Sequence, residues 1–187
     1  MALAQAPNDI PVPATPPPPV DEVKLDVPYV SQADFNLLCW AACATMVAQF
    51  FQKPATLRSV VESSRVGLVC PDLVVCNFAC SEADVLRVYG LLGITGDPPQ
   101  GPLEQSALQQ ELVEGRPVEI GIGACGGTDA TGHLIIVYGS HVDTTGVTFL
   151  VHDPESAGTG TATFQGLLRN GIVALCWRRT WANLHRT

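Results

Sequence analysis

The chain has 187 residues, of which 47% are hydrophobic, so it can bury a core of the size that one compact domain needs. Its formal net charge of −8 comes from 18 acidic and 10 basic residues, and no Lys/Arg cluster is present that could follow a phosphate backbone. The sequence also lacks an apolar run of about 20 residues, so we expect neither a nucleic-acid nor a membrane partner.

The N-terminus resembles the remainder of a targeting sequence. Met1 to Ala4, followed by Gln5, is similar to the small-residue end of a signal peptide that has been trimmed and given a start Met. Seven cysteines are an odd number, and if one is a catalytic thiolate, six remain for three disulfides. We therefore expect a secreted or periplasmic protein.

Residues 1–22 hold seven of the fifteen prolines, including Pro16 to Pro19, and almost no large apolar side chains. Such a segment cannot bury enough surface to offset its ordering entropy, so a disordered or polyproline II tail is predicted. It could be a linker left from secretion, a recognition segment or a stretch removed by processing. Residues 23–187 are predicted to form a single domain, with a helical half at about 23–115 and a sheet half at about 116–187.

The helical half begins with an extended stretch, Leu25 to Ser31, and then a helix that is apolar on every side. An all-apolar helix in a soluble protein indicates burial in the middle of the fold. Lys53-Pro54 ends this helix, and Ser81 with Asp84 forms a cap signature for a later one. The predicted helices are Cys39 to Phe51, Thr56 to about Ser63, about Glu82 to Leu92, and about Leu103 to Glu114.

After Gly115 the period of the apolar residues changes to that of strands. In the first strand Val118, Ile120 and Ile122 lie on one side, while the second is a continuous apolar run and is therefore predicted to be covered on both faces. Helices followed by antiparallel strands indicate an α+β fold. The predicted strands are Pro117 to Gly123, His133 to Gly139, Gly146 to His152 and Gly171 to Arg178.

Cys39 stands at the N-terminus of the buried helix, where the helix dipole and free backbone N–H groups favour a thiolate and an oxyanion. A thiolate nucleophile needs a base, and the base needs a group that orients it. His133 opens the central strand and Asp153 follows the next one. If these two strands pair through a turn at Ser140 to Thr145, their antiparallel register brings His133 and Asp153 together.

These residues resemble the papain-like cysteine peptidases, in particular the bacterial branch typified by AvrRpt2 and related C39-like peptidases. The matching pieces span about residues 25–155 and occur in the family's order of Gln, Cys, His and Asp. They are Val27-Pro28-Tyr29-Val30-Ser31-Gln32, Cys39-Trp40-Ala41-Ala42, Gly132-His133-Leu134-Ile135-Ile136-Val137-Tyr138-Gly139 and Val151-His152-Asp153-Pro154.

The resemblance implies a papain-like fold and a monomeric cysteine peptidase that cleaves protein or peptide substrates without a cofactor or metal. Cys39 is then the nucleophile, His133 the general base and acid, and Asp153 the residue that orients His133. Gln32 would supply the side-chain N–H of the oxyanion hole, and the reaction would pass through an acyl-enzyme. Two alternatives stay open: an acyltransferase or deamidase on the same triad, and a non-catalytic binding domain.

The remaining candidates have structural interpretations. On a strand the side chain of His152 points away from that of Asp153, and Cys43 is a core residue or a disulfide partner. Disulfides and a zinc site are both open for the group Cys70, Cys76 and Cys80, whose spacing lacks paired C-x₂-C knuckles. Disulfides from this group could also reach Cys43, Cys125 or Cys176. Substrate would be read by the loops Gly93 to Pro102 and Ala124 to Thr131.

Overall fold

Helices come first along the chain and an antiparallel sheet follows, as the α+β prediction requires. The computed structural model describes residues 21–32, 34–126, 132–155, 158–170 and 175–187. Most of the predicted tail at 1–22 lies outside the described residues. The helices are α1 (Cys39–Phe50), α2 (Leu57–Ser63), α3 (Glu82–Leu91), α4 (Gln105–Val113) and α5 (Phe164–Leu168). The strands are β1 (Glu22–Lys24), β2 (Ile94–Thr95), β3 (Val118–Ala124), β4 (His133–Asp143), β5 (Gly146–Asp153), β6 (Gly158–Thr163), β7 (Arg169–Asn170), β8 (Leu175–Trp181) and β9 (His185–Arg186).

Helix α1 is buried in the middle of the fold, as its all-apolar sequence predicts. Ten of its twelve residues are buried, and four of them are alanines, the residue with the highest helix propensity. The helix ends in a Schellman motif: Gln52 takes a left-handed φ of 59°, and Lys53 N–H donates to the Ala48 carbonyl at 2.9 Å. Pro54 follows and prevents the helix from continuing.

Side-chain caps start the next two helices. Thr56 and Ser59 form a capping box at α2, and the Ser81 hydroxyl accepts from Asp84 N–H at 3.2 Å at the start of α3. The cap signature predicted at Ser81 is therefore confirmed. Helix α4 is shorter than predicted, because it begins two residues later and ends one residue earlier.

The main sheet has the strand order β6-β5-β4-β3-β8-β7, and β1 pairs antiparallel with β4. One face of the sheet packs against α1, α2 and α3, and the other packs against α4 and α5. The central run of β4 is buried on both faces, as predicted. Val118 and Ile120 share one face of β3, as predicted, and Glu119, which alternates with them, is also fully buried.

The β4–β5 hairpin is longer than predicted. Its strands continue to Asp143 and resume at Gly146, so the turn consists of Thr144 and Thr145 instead of the whole Ser140 to Thr145 stretch. Thr145 N–H donates to Asp143 Oδ1 at 2.7 Å and closes the turn. Beyond the hairpin, β6 adds an edge strand that the sequence patterns did not indicate.

Two disulfides are present, Cys70–Cys76 within the loop between α2 and α3, and Cys125–Cys176 between the end of β3 and the start of β8. Cys39, Cys43 and Cys80 are free thiols. Within the described residues no group of three or more His, Cys, Asp or Glu could hold a metal ion. No helix of the described chain is long and apolar enough to span a membrane.

Candidate active site

His133 and Asp153 meet at the open end of the β4–β5 hairpin. In the antiparallel register, Ile136 lies opposite His152, so the first residue of β4 comes beside the last residue of β5. His133 Nε2 lies 2.6 Å from Asp153 Oδ1. The same carboxylate oxygen accepts from Glu155 N–H at 3.0 Å, which fixes its orientation toward the imidazole.

Cys39 is the first residue of α1 and lies at the same imidazole. It is 8% exposed, and its interaction with His133 raises the pKa of that residue. Because Nε2 is bound to Asp153, Nδ1 is the ring nitrogen left for the thiol. No side chain caps the start of α1, and the first backbone N–H groups of a helix have no partners within the helix. These N–H groups favour negative charge beside the sulfur.

The electrostatics of His133 favour the imidazolium. Burial lowers its pKa, but hydrogen bonds with Asp153 and Cys39, together with their charges, outweigh burial and raise the pKa to about 10. A second carboxylate is near, since Glu155 Oε2 lies 4.0 Å from Nδ1. His133 is therefore an imidazolium at neutral pH.

Gln32 is brought to this corner by the extended segment that precedes it. Gln32 N–H donates to the Pro154 carbonyl at 3.0 Å, and the Tyr29 hydroxyl donates to the Asp153 carbonyl at 3.2 Å. The Gln32 side chain is buried, with 2% exposed, and its Oε1 has no hydrogen-bond partner among the described residues. The backbone of Gln32 is thus fixed at Pro154, next to Asp153.

Two neighbours of the site have structural roles, as their positions predict. His152 stacks on Tyr138 at 4.1 Å between ring centroids, and its Nε2 lies 2.9 Å from the Val27 carbonyl. Burial lowers the pKa of His152, so it stays neutral. Cys43 lies one turn after Cys39, is fully buried, and has its pKa raised by burial.

A pocket of about 210 Å³ opens beside Cys39, with Gly132 and Leu134 from either side of His133 in its lining. Gly121 is closely packed in the wall of the pocket, because a Cβ added at this position would lie 3.3 Å from the side chains of Leu134 and Trp181. The large apolar side chains of its walls are Leu37, Trp40, Val85, Ile122, Leu134 and Trp181.

The rim of the pocket is charged. Arg179 Nε pairs with Glu82 Oε1 at 2.8 Å, and Arg178 lies beside them in the lining. Free Cys80 also lines the pocket; burial and the charge of Asp84 raise its pKa to about 12, so it stays a thiol. The cavity can therefore receive an apolar side chain with a polar group at its mouth.

No residue of the predicted substrate loop Gly93 to Pro102 lines this pocket. That stretch instead forms β2, which pairs with β9, and a bridge from Gln100 to Thr180. Part of the other predicted loop, residues 127–131, lies outside the described residues.

Sequence reasoning also missed an acid behind α1. Glu119 is fully buried, accepts a hydrogen bond from the Tyr89 hydroxyl, and leaves Oε1 without a partner among the described residues. Burial raises the pKa of Glu119 to about 8, although the Tyr89 hydrogen bond opposes the shift. The clue in the sequence is a Glu inside a β3 pattern of Val, Ile and Gly.

Comparisons with known proteins agree with this geometry. The family profile described as "Papain-like cysteine protease AvrRpt2" matches residues 21–168. Among solved structures, UfSP from C. elegans superimposes with a TM-score of 0.50 at 16% sequence identity, over 92% of this chain. The chain spans 36% of the length of that UfSP chain, and the likeness shows a shared papain-like fold. No curated protein matches the sequence.

Proposed function

This chain belongs to the family of papain-like cysteine proteases typified by AvrRpt2, and on that premise we propose that Cys39, His133 and Asp153 are its catalytic triad. The fold and family make it a cysteine peptidase acting on protein or peptide substrates. The observation that carries the residue assignment is the position of His133. Its Nε2 lies 2.6 Å from Asp153 Oδ1, and both Asp153 and Cys39 raise its pKa.

In the proposed reaction the Cys39 thiolate attacks the carbonyl carbon of the scissile peptide bond. His133, as imidazolium, gives its proton to the leaving amine, and the C–N bond breaks to leave an acyl-enzyme thioester. His133, now neutral, takes a proton from water, whose oxygen attacks the thioester carbonyl. The carboxylic acid leaves and the thiolate–imidazolium pair returns.

Gln32 and the N-terminus of α1 would hold the oxyanion that forms at each step. The Gln32 side-chain N–H and the Cys39 backbone N–H are the proposed donors. Two observations support this assignment: the backbone of Gln32 is fixed at Pro154, next to Asp153, and its side chain is buried. A preorganised donor of this kind acts where charge develops in the transition state.

We also propose that the protein works as a monomer in a secreted or periplasmic location. The two disulfides favour an oxidising compartment, since thiols are kept reduced in most cytosols. The net charge of −8 gives no support for binding nucleic acid or an anionic membrane surface.

Labelling with a small thiol-directed inhibitor tests the nucleophile. Cys39→Ala and Cys80→Ala form a matched pair, because both are free thiols that line the same pocket and only Cys39 contacts His133. We expect fast labelling of wild type and Cys80→Ala, and almost none of Cys39→Ala. Equal labelling of wild type and Cys39→Ala would overturn the assignment.

Incubation with a denatured protein mixture tests the reaction itself. New N-termini that appear with wild type and are absent with Cys39→Ala and His133→Ala identify a peptidase. Ammonia release or crosslinks without new N-termini would instead identify deamidase or acyltransferase chemistry on the same triad.

A further inference from the structure

Exposed apolar side chains are concentrated in one part of the molecule. Among the described residues seven large apolar side chains are exposed, and five of them belong to or contact the segment between α2 and α3. Four are valines, and the fifth, Leu37, lines the pocket beside Cys39. The four, here called the valine patch, are Val66, Val69, Val74 and Val75, with exposed fractions of 106%, 74%, 66% and 72%.

The loop that carries Val74 and Val75 is held rigidly from beneath. The Cys70–Cys76 disulfide closes it, and both half-cystines are buried while the valines face outward. Helix α2 holds its start, since Cys70 N–H donates to Glu62 Oε1 at 2.9 Å. A fixed loop can present apolar side chains to a partner with little loss of conformational entropy on binding.

The far end of this loop is joined to the lip of the pocket. Asn77 Oδ1 accepts from Leu37 N–H at 3.0 Å, and Asn77 Nδ2 donates to Asn36 Oδ1 at 2.9 Å. Both Asn36 and Leu37 line the pocket. Val75 is two residues from Asn77, a distance of at most about 7 Å along the chain. The loop that carries Val74 and Val75 is therefore anchored at the lip of the pocket beside Cys39.

We propose that the valine patch is a substrate-docking surface, which binds an apolar, extended segment of the polypeptide whose scissile bond lies at Cys39. An extended chain rises about 3.3 Å per residue, so a segment some three to five residues from the residue in the pocket reaches Val74 and Val75. The inference rests on the proposed peptidase function, because its occupant is the substrate itself. It predicts that cleavage depends on apolar residues beyond those that enter the pocket.

The test uses two peptides built around one cleavage site found in the denatured mixture, one of about 20 residues and one of about six. The variant is Val74→Ser with Val75→Ser, and the matched control is Val113→Ser, an exposed valine on α4 across the sheet. We expect the double variant to raise KM for the long peptide about tenfold with kcat unchanged, since it removes two apolar contacts. For the double variant, KM for the short peptide and the rate of inhibitor labelling at Cys39 should stay within about twofold of wild type. For the Val113→Ser control, KM for both peptides should also stay within about twofold of wild type.

Each other outcome counts against the docking surface. An unchanged KM for the long peptide would overturn it. An equal rise in KM for both peptides would also overturn it, because the loop would then act through the pocket. A concentration-dependent dimer that the double variant abolishes, with KM unchanged, would assign the patch to a second copy of the chain instead.

A binding measurement separates this inference from the proposed function. Fluorescence anisotropy of the labelled long peptide with Cys39→Ala measures docking without turnover, and adding the two serines should weaken binding about tenfold. Lost inhibitor labelling of wild type with intact anisotropy would refute the nucleophile and leave the docking surface standing. Anisotropy that the serines do not alter would refute the docking surface alone.

Discussion

Glu119 provides a quantitative test of how the core behind α1 is built. Its carboxyl group is fully buried, and the pKa is raised from an ordinary value of 4.5 to about 8. The side chain must therefore lose its proton far more readily in the unfolded chain than in the folded one. The perturbation is Glu119→Gln, which keeps the shape and the acceptor for Tyr89 but cannot ionise.

The sign and size of the expected change in stability follow from the linkage between protonation of Glu119 and folding. A group whose pKa is higher in the folded state stabilises fully below its unfolded pKa and loses that contribution as pH rises through its folded pKa. The window here is about pH 4.5 to 8. Since one pKa unit corresponds to about 1.4 kcal/mol, wild type should lose about 5 kcal/mol of unfolding free energy across it, from this group alone.

Urea unfolding at pH 5, 6.5, 8 and 9, with the disulfides intact, measures this loss. The difference in unfolding free energy between wild type and Glu119→Gln should shift in favour of the variant by about 4 kcal/mol between pH 5 and 9, because the unfolded carboxyl is already partly ionised at pH 5. Glu22→Gln, on the exposed strand β1, is the control and should follow wild type throughout. Parallel curves for wild type and Glu119→Gln would refute the interpretation of Glu119 as a buried, protonated acid.

Three further predictions concern the candidate site and the Cys125–Cys176 disulfide. Asp153→Asn should move the alkaline limb of the pH profile of kcat/KM to lower pH by about 1 to 3 units. The reason is that the amide cannot stabilise the His133 imidazolium, whose pKa is about 10 in the wild type. An alkaline limb that stays at the same pH in the variant would contradict this prediction. Gln32→Ala should lower kcat by about 10² to 10³ through loss of an oxyanion donor, and Gln32→Glu, which lacks the N–H, should lose as much in single-turnover assays. Cys125→Ser should lower the unfolding free energy by about 2 to 4 kcal/mol by releasing Cys176, and an unchanged urea midpoint would show that this bridge does not stabilise the fold.

Local patterns in the sequence were enough to predict where His133 and Asp153 lie. A continuous apolar run predicts a strand covered on both faces, and the alternating run after it predicts its antiparallel neighbour. Those two inferences place the start of one strand beside the end of the other, and the structure has the two side chains 2.6 Å apart. Whether this pair is catalytic stays a prediction that the labelling and pH experiments address.

The position of Gln32 and the pairing of Cys125 with Cys176 could not be predicted in this way. Gln32 is held by Pro154, which is more than a hundred residues away in sequence. The disulfide depends on β8 inserting beside β3, where Gly123 lies opposite Cys176. Both contacts come from the order of strands in the sheet, which periodicity within each strand does not encode.

The second face of β3 shows why the pocket was also missed. The alternation predicts only that Val118, Ile120 and Ile122 share one side, and it does not indicate what covers Glu119, Gly121 and Gly123 on the other. In the structure that second face points toward α1: Gly121 and Gly123 line the pocket, and Glu119 lies beyond them in the core, paired in register with Trp181. The face lacks bulky apolar side chains because an open cavity lies against it. A weakly apolar face on a central strand thus indicates either solvent or a binding pocket, and the neighbouring apolar run of β4, covered on both sides, favours the pocket.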